Sequence, residues 1–257
     1  MRLDQLLVDR GLVTSRNKAQ SLVMAGCVFE GDRRLDKPGQ MMPVGAMVFV
    51  RGPDHPWVSR GGVKLAYGLE CFSMNPHALV ALDVGASTGG FTDVLLAGGA
   101  ARVYAVDVGY GQLAMRLRLE PRVVVLERTN ARYLSAAHVP EPIDLVVCDA
   151  SFIGLRTLLP VPLSLTRPGA QLVALIKPQF EVGREQVGRG GVVRDAQAQA
   201  TACARITLWL AGQPGWRVLG VVESPLTGPH GNREFLVGAV RDGDDSLPTL
   251  RTDPEKE

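Results

Sequence analysis

No stretch of the sequence approaches the roughly 18 to 20 consecutive apolar residues that a membrane-spanning helix needs. The opening Met1-Arg2-Leu3-Asp4-Gln5 also lacks the apolar core of a secretory signal. A cytoplasmic protein with no membrane partner is therefore expected. Cysteine is scarce and scattered: Cys27, Cys71, Cys148 and Cys203 include no Cys-x-x-Cys pair. That spacing argues against a disulfide framework and against a cysteine-bound metal, so no metal is expected and the thiols read as small core residues in a reducing compartment. Internal repeats and low-complexity tracts are absent too, which excludes solenoid and fibrous architectures.

What is present is the composition of a globular chain. With 46% hydrophobic and 21% charged residues over 257 positions, there is material for one large core and a small second unit. The net charge of +2 conceals an asymmetry, because residues 1–60 hold nine Lys/Arg against six Asp/Glu. An excess this small does not by itself identify a polyanionic partner.

Leu3, Leu6 and Leu7 recur at helical spacing until Gly11, and Ser15 has the character of an N-cap for a second helix running to Met24-Ala25-Gly26. Strands are expected at 27–30 and 46–50, around turns built on Gly31-Asp32 and Lys37-Pro38-Gly39. Residues 1–52 thus form a small α+β unit. The turn-forming run Arg51-Gly52-Pro53-Asp54-His55-Pro56 leads into a linker at 53–60. From 61 to 241, apolar runs at 79–84, 103–108, 123–126, 143–148, 172–176 and 218–222 are separated in several places by amphipathic stretches. Buried parallel strands joined by crossover helices give a Rossmann-like doubly wound α/β sheet. The acidic tail at 242–257 is expected to be frayed.

The segment from Ala81 to Thr92 reads as strand, glycine-rich turn and helix start, and its Asp83, Gly85, Ala86, Ser87, Gly89, Gly90, Phe91 and Thr92 are candidate cofactor contacts. Position 87 is Ser, so the spacing is not the G-x-G-x-x-G of a pyrophosphate-binding turn; S-adenosyl-L-methionine, which has no phosphate, fits better. One strand on, Asp107 is placed to accept hydrogen bonds from both ribose hydroxyls of an adenosine, and Asn130 follows the third strand near the adenine. The fourth strand ends at Asp149 and the fifth at Lys177, two charges that are costly to bury unless they pair. Lys64, and Glu234 at the start of a late apolar strand, extend the charged set.

The order Lys64, Asp149, Lys177, Glu234 resembles the Lys-Asp-Lys-Glu tetrad of the FtsJ-like ribose 2′-O-methyltransferases, and the whole chain up to its acidic tail looks like the TlyA family of ribosomal RNA 2′-O-methyltransferases, also labelled hemolysin A. The first 60 residues resemble the alpha-L RNA-binding module, with Arg2-Leu3-Asp4 at its start and Ser15-Arg16-x-Lys18-Ala19 opening the helix that faces RNA. The resemblance implies methyl transfer from S-adenosyl-L-methionine to a ribose 2′-hydroxyl of ribosomal RNA, on a cytidine, with free RNA or ribosomal subunits as partner. Arg2, Ser15, Arg16, Lys18 and Arg60 are the expected RNA contacts, the cations gripping phosphates. The sequence departs from the family at the linker, where His55-Pro56-Trp57-Val58 stands in place of the usual Arg-x-Trp-Val.

Lys177 is the expected base, its pKa lowered by desolvation and by the second cation Lys64; alternatively the tetrad chiefly positions the hydroxyl for in-line attack. The stretch Gly183–Gly191 reads as a mobile loop, either a closure over RNA or an ordinary connection. Three rival readings are an oxidoreductase, opposed by the glycine spacing, a non-catalytic ribosome assembly factor, opposed by the intact tetrad, and a hemolysin-like pore former. No strongly amphipathic cationic helix supports the last.

Overall fold

A computed structural model describes residues 1–51, 55–228 and 231–243. In the N-terminal unit, α1 (Leu3–Asp9) and α2 (Arg16–Met24) pack on a three-stranded antiparallel sheet in the order β2 (Arg33–Arg34), β1 (Val28–Glu30), β3 (Val48–Val50). The helical spacing of Leu3, Leu6 and Leu7 turns them, with Ala19 and Val23, onto Val28, Leu35 and Val48. Helix α2 begins where the Ser15 hydroxyl accepts the Lys18 backbone N–H at 3.2 Å. The chain leaves it through Gly26, at a left-handed φ of 75°. Strands β1 and β3 are shorter than expected, because Cys27, Ala46 and Met47 lie outside the ladder.

The larger unit comprises α3 (Gly61–Cys71), β4 (Val80–Val84), α4 (Gly90–Ala97), β5 (Arg102–Val106), α5 (Met115–Arg118), β6 (Val123–Leu126), β7 (Ile143–Cys148), α6 (Leu155–Leu158), α7 (Pro160–Ser164), β8 (Thr166–Ile176), α8 (Pro178–Glu181), α9 (Ala196–Ala211), β9 (Trp216–Glu223) and β10 (Phe235–Arg241). They build a seven-stranded sheet in the order β6-β5-β4-β7-β8-β10-β9. The first five are parallel, whereas β10 runs antiparallel to both β8 and β9. The six apolar runs expected as parallel strands, β4 to β9, do run in one direction, and β10, the late apolar strand after Glu234, opposes them. Helix α9 carries the chain from β8 to β9 in the common direction, but the connection from β9 to β10, residues 224–234, is too short for a crossover, so β10 returns between them.

Neighbouring strand residues serve opposite faces. Leu82, Val146 and Leu172 enter one core and Ala81, Leu145 and Val173 the other. Burial of each such leucine or valine contributes about 1.5–3 kcal/mol. The consequence for function is that β4, β5, β7 and β8 all end on one edge of the sheet, and Phe235 pairs with Ile176, which brings Glu234 to that same edge from the other direction.

The two units meet beside this edge. The His55 ring nitrogen Nε2 lies 3.1 Å from the Ala25 carbonyl, and Trp57 covers Gly62 so closely that a Cβ there would fall 2.4 Å from the indole. Of the expected linker, 53 and 54 lie outside the described residues, as does 244–257 of the expected tail. No described helix is long and apolar enough to cross a membrane.

Candidate active site and cofactor crevice

Two ion pairs form at the shared edge. Lys177, directly after β8, places Nζ 2.6 Å from Asp149 Oδ1, directly after β7, and donates to Ser151 Oγ at 2.9 Å. Lys64, in the first turns of α3, places Nζ 2.5 Å from Glu234 Oε2. Lys64, Lys177 and Glu234 are only 9%, 7% and 1% exposed, so each charge depends on its partner. Burial pushes Lys177 toward the neutral amine, but the Asp149 and Glu234 carboxylates outweigh it and hold Lys177 above the ordinary lysine value. The expected lowering is thus reversed, because two nearby anions dominate over desolvation and Lys64. Glu234 Oε1 accepts no hydrogen bond from the described residues and faces Gly228, where a Cβ would fall 1.9 Å from it.

The glycine-rich turn wraps the end of β4. Gly85 has φ 85°, Ser87 φ 48° and Gly89 φ 96°. A side chain at Gly85 would press on the Ala150 backbone at 3.1 Å, and one at Gly89 would overlap Leu117. Asp107 ties the turn to the next strand: Oδ2 accepts the Ser87 N–H at 2.8 Å and Oδ1 the Gly109 N–H at 2.6 Å. Beside it opens a cavity of about 560 Å³ whose walls include Gly85, Ser87, Asp107, Asn130, Asp149 and Phe152. Asn130 does double duty, since Oδ1 also accepts the Arg132 N–H at 3.1 Å and caps the short turn Ala131–Tyr133.

A second crevice, of about 280 Å³, lies between the units. It is walled by Met24 and Lys37 on one side and by Arg60, Lys64, Lys177 and Gly228 on the other, and shares Gly85, Ser87, Asp149 and Ser151 with the first. Ala86, Gly90 and Phe91 line this crevice rather than the larger cavity. Asp83, Gly89 and Thr92 line neither. Thr92 Oγ1 donates to Asp83 Oδ2 at 2.7 Å in complete burial, which pushes the Asp83 carboxyl up to about 7. These three residues support the turn from behind.

In the N-terminal unit an unassigned residue organises the expected RNA contacts. The fully buried Asp4 carboxylate accepts from Arg2 Nε and Nη2 at 3.0 and 2.9 Å, from Arg16 Nη2 at 3.2 Å and from Gln20 Nε2 at 3.0 Å. The Arg2 hydrogen bond, with those of Gln20 and Arg16, holds Asp4 well below the usual carboxylate range despite its burial. Arg2 and Arg16 remain about half exposed, at 48% and 51%, and Lys18 is exposed. The Ser15 hydroxyl is engaged as the α2 cap. Arg60 departs from its expected use on phosphate: Nη1 donates to Asp36 Oδ1 at 2.8 Å and its stem lies on Gly26, so it pins the two units together. Sequence reasoning also left Ser151 and Phe152 without roles, although both follow within three residues of Asp149; Phe152 is 91% exposed at φ 67°.

A family model described as FtsJ-like methyltransferase matches residues 57–241, and one for the S4 domain matches residues 1–48. The chain belongs to the FtsJ-like methyltransferase family. Over 92% of its length it is 48% identical to a Mycobacterium tuberculosis protein named 16S/23S rRNA (cytidine-2′-O)-methyltransferase TlyA, of which 88% is covered. It is 36% identical over 92% of its length to Hemolysin A of Brachyspira hyodysenteriae, covering 98% of that protein. These identities put it in the TlyA branch of the family. A solved structure from Streptococcus thermophilus that carries a hemolysin designation is 39% identical, with TM-score 0.74, covering 97% of this chain and 92% of that one. The magnesium protoporphyrin IX methyltransferase of Synechocystis PCC 6803, at 15% identity and TM-score 0.50 over 71% of this chain and 82% of that one, shares the fold alone. In this FtsJ-like methyltransferase no group of three or more His, Cys, Asp or Glu among the described residues is placed to hold a metal ion.

Proposed function

We propose that the protein transfers the methyl group of S-adenosyl-L-methionine to the 2′-hydroxyl of a cytidine in ribosomal RNA. The observation that carries this reading is the crevice between the units, where S4-domain residues Met24 and Lys37 face the buried Lys64–Glu234 and Lys177–Asp149 pairs. The cytidine and the ribosomal RNA come from the name of the Mycobacterium tuberculosis relative.

The residues at the larger cavity suit the cofactor. Its volume of about 560 Å³ is of the size of small-molecule sites, and Asp107 keeps acceptor capacity for ribose hydroxyls beyond the two N–H groups it binds. Gly85, Ser87 and Asn130 would hold the rest of the molecule. When bound, the cofactor supplies a sulfonium methyl, a strong electrophile. The work left to the protein is to deliver and orient a very weak nucleophile.

Lys177 performs that orientation as an ammonium. Already carrying its proton at neutral pH, it donates toward the 2′-oxygen, while Asp149 and Ser151 fix the direction of its N–H bonds, and the hydroxyl proton leaves to solvent water late, once the new C–O bond is forming. Lys64 and Glu234 form the opposite wall and balance the charge. Arg2, Arg16 and Lys18 grip phosphates from the S4 domain, and Asp4 holds the two arginines in place.

The test is transfer of tritiated methyl from S-adenosyl-L-methionine to ribosomal subunits lacking their native modifications, followed by nucleoside mass spectrometry. Label on a cytidine 2′-oxygen with the unaltered protein, absent with Lys177→Ala, is the expected result. No transfer to any subunit or free RNA, despite measured cofactor binding, overturns it.

A further inference from the structure

Phe152 lies three residues beyond Asp149, and Phe180 three beyond Lys177. Their rings meet with centroids 5.4 Å apart at 48°. Holding Phe152 91% exposed in the left-handed region costs on the order of 1–3 kcal/mol, which its ring contact with Phe180 offsets only in part. The pair therefore forms an aromatic wall that starts at the proposed acceptor site and faces outward.

On the other side of Phe180 opens a separate hollow of about 370 Å³, lined by Arg156, Thr157, Phe180, Glu181, Arg205 and Trp209. It shares no residue with the interdomain crevice or the cofactor cavity. Arg156 is exposed on α6. Arg205, on α9, donates from Nη1 to the Glu181 carbonyl at 2.8 Å, which sets its guanidinium at the rim and leaves further N–H groups to offer. The acid in the hollow is turned inward: Glu181 Oε1 accepts the Leu155 N–H at 2.7 Å, and burial raises its carboxyl above the usual range. What remains for a ligand is two guanidinium forks and two aromatic side chains.

An unpaired RNA strand has the matching chemistry. Its phosphodiesters suit arginine forks and its unstacked bases suit aromatic faces, whereas a duplex keeps its bases stacked within the helix. We propose that this hollow binds the single-stranded RNA flanking the methylated nucleotide, with a phosphate held by Arg156 and Arg205 and a base against Phe180 and Trp209. The inference rests on the RNA methyl transfer proposed above and extends the contact from the S4 domain to the far side of the catalytic strands.

The experiment measures binding of a short fluorescein-labelled unpaired RNA of mixed sequence, and of its duplex, by anisotropy over a range of salt. The full chain is compared with Arg156→Glu, Arg156→Lys and the double variant Arg156→Glu/Arg205→Glu. Arg156 is exposed, so its replacement spares the fold, and thermal unfolding and cofactor affinity are measured alongside. The double variant is expected to bind the unpaired strand roughly tenfold more weakly, with the salt slope reduced by about one for each lost phosphate contact. Arg156→Lys retains most of the affinity, and duplex binding changes less. Unchanged affinity and slope in both glutamate variants, or no measurable binding of the unpaired strand by the unaltered protein, overturns the proposal. Methyl transfer by the unaltered protein is assayed in parallel: if it fails while the arginine variants still weaken RNA binding, the enzymatic reading falls and this surface stands.

Discussion

Lys177 Nζ and Asp149 Oδ1 are 2.6 Å apart at the ends of adjacent parallel strands, and this pairing decides the protonation state of the lysine. With Asp149 and Glu234 holding its pKa above the ordinary value, Lys177 is charged throughout the neutral range. Activity that depends on the ammonium stays level through neutral pH and falls only as the pH rises past the ordinary lysine range of about 10.4. Asp149→Asn removes the larger of the two anionic influences that oppose burial and moves that fall to lower pH. A transfer rate that climbs steadily from about pH 6 to about 10 in the unaltered protein would restore Lys177 to the role of base.

Asp83 gives a second pH dependence, of opposite origin. Its complete burial raises the folded carboxyl to about 7, against an ordinary value of about 3.9. The folded state therefore binds the proton more tightly than the unfolded chain, so stability falls as pH rises from about 4 to about 7 and is level beyond. The three-unit shift corresponds to about 4 kcal/mol. Asp83→Asn keeps an acceptor for Thr92 and cannot ionise, so its unfolding temperature is expected to lose most of this decline. The same steep decline in the variant would mean that another group causes it.

The strands of the larger unit are legible in sequence because their apolar runs are buried on both faces and end in turn formers or charge. Asp149 and Lys177 are legible for the same reason, as charges at the ends of such runs. The direction of β10 is not: Phe235–Arg241 reads alike either way, and only the shortness of the connection from β9 turns it antiparallel. Asp83 shows a similar limit, because alternation separates it from Val84 without saying which neighbour faces the cavity. Arg60 and Arg2 carry the same charge in sequence, yet one spends it on Asp36 across the units and the other keeps half its surface in solvent.

Asp4 is the buried anchor of the expected RNA-binding face, and its removal has two separable effects. Asp4→Ala frees Arg2, Arg16 and Gln20 at once and leaves no charge to hold them; because the two arginines are half exposed and can hydrate, the expected loss is about 1–3 kcal/mol in unfolding free energy. RNA affinity should fall as the guanidinium groups lose their orientation. Because folding depresses the Asp4 pKa, its contribution is present above the ordinary carboxylate range and disappears as the pH falls through the folded value. Chemical denaturation near neutral pH and in acid checks both points: a destabilisation of Asp4→Ala that is the same at both values contradicts the anchoring role.

Gly228 tests the catalytic wall without touching a charge. A Cβ at this position would fall 1.9 Å from Glu234 Oε1, too close for both to remain, and the Gly228 N–H is fixed on the Asn232 carbonyl at 2.8 Å, so the glutamate has to yield. Displacing Glu234 by even a fraction of an ångström separates it from Lys64 and unbalances the site. Gly228→Ala is therefore expected to lower kcat by roughly 10²-fold, the scale on which a misplaced catalytic group is felt. Gly228 lines the interdomain crevice and not the cofactor cavity, so affinity for S-adenosyl-L-methionine, measured by calorimetry, should stay near that of the unaltered protein. Full turnover in Gly228→Ala would show that the position of Glu234 is not required; loss of cofactor affinity in step with kcat would mean that the damage spreads beyond the wall.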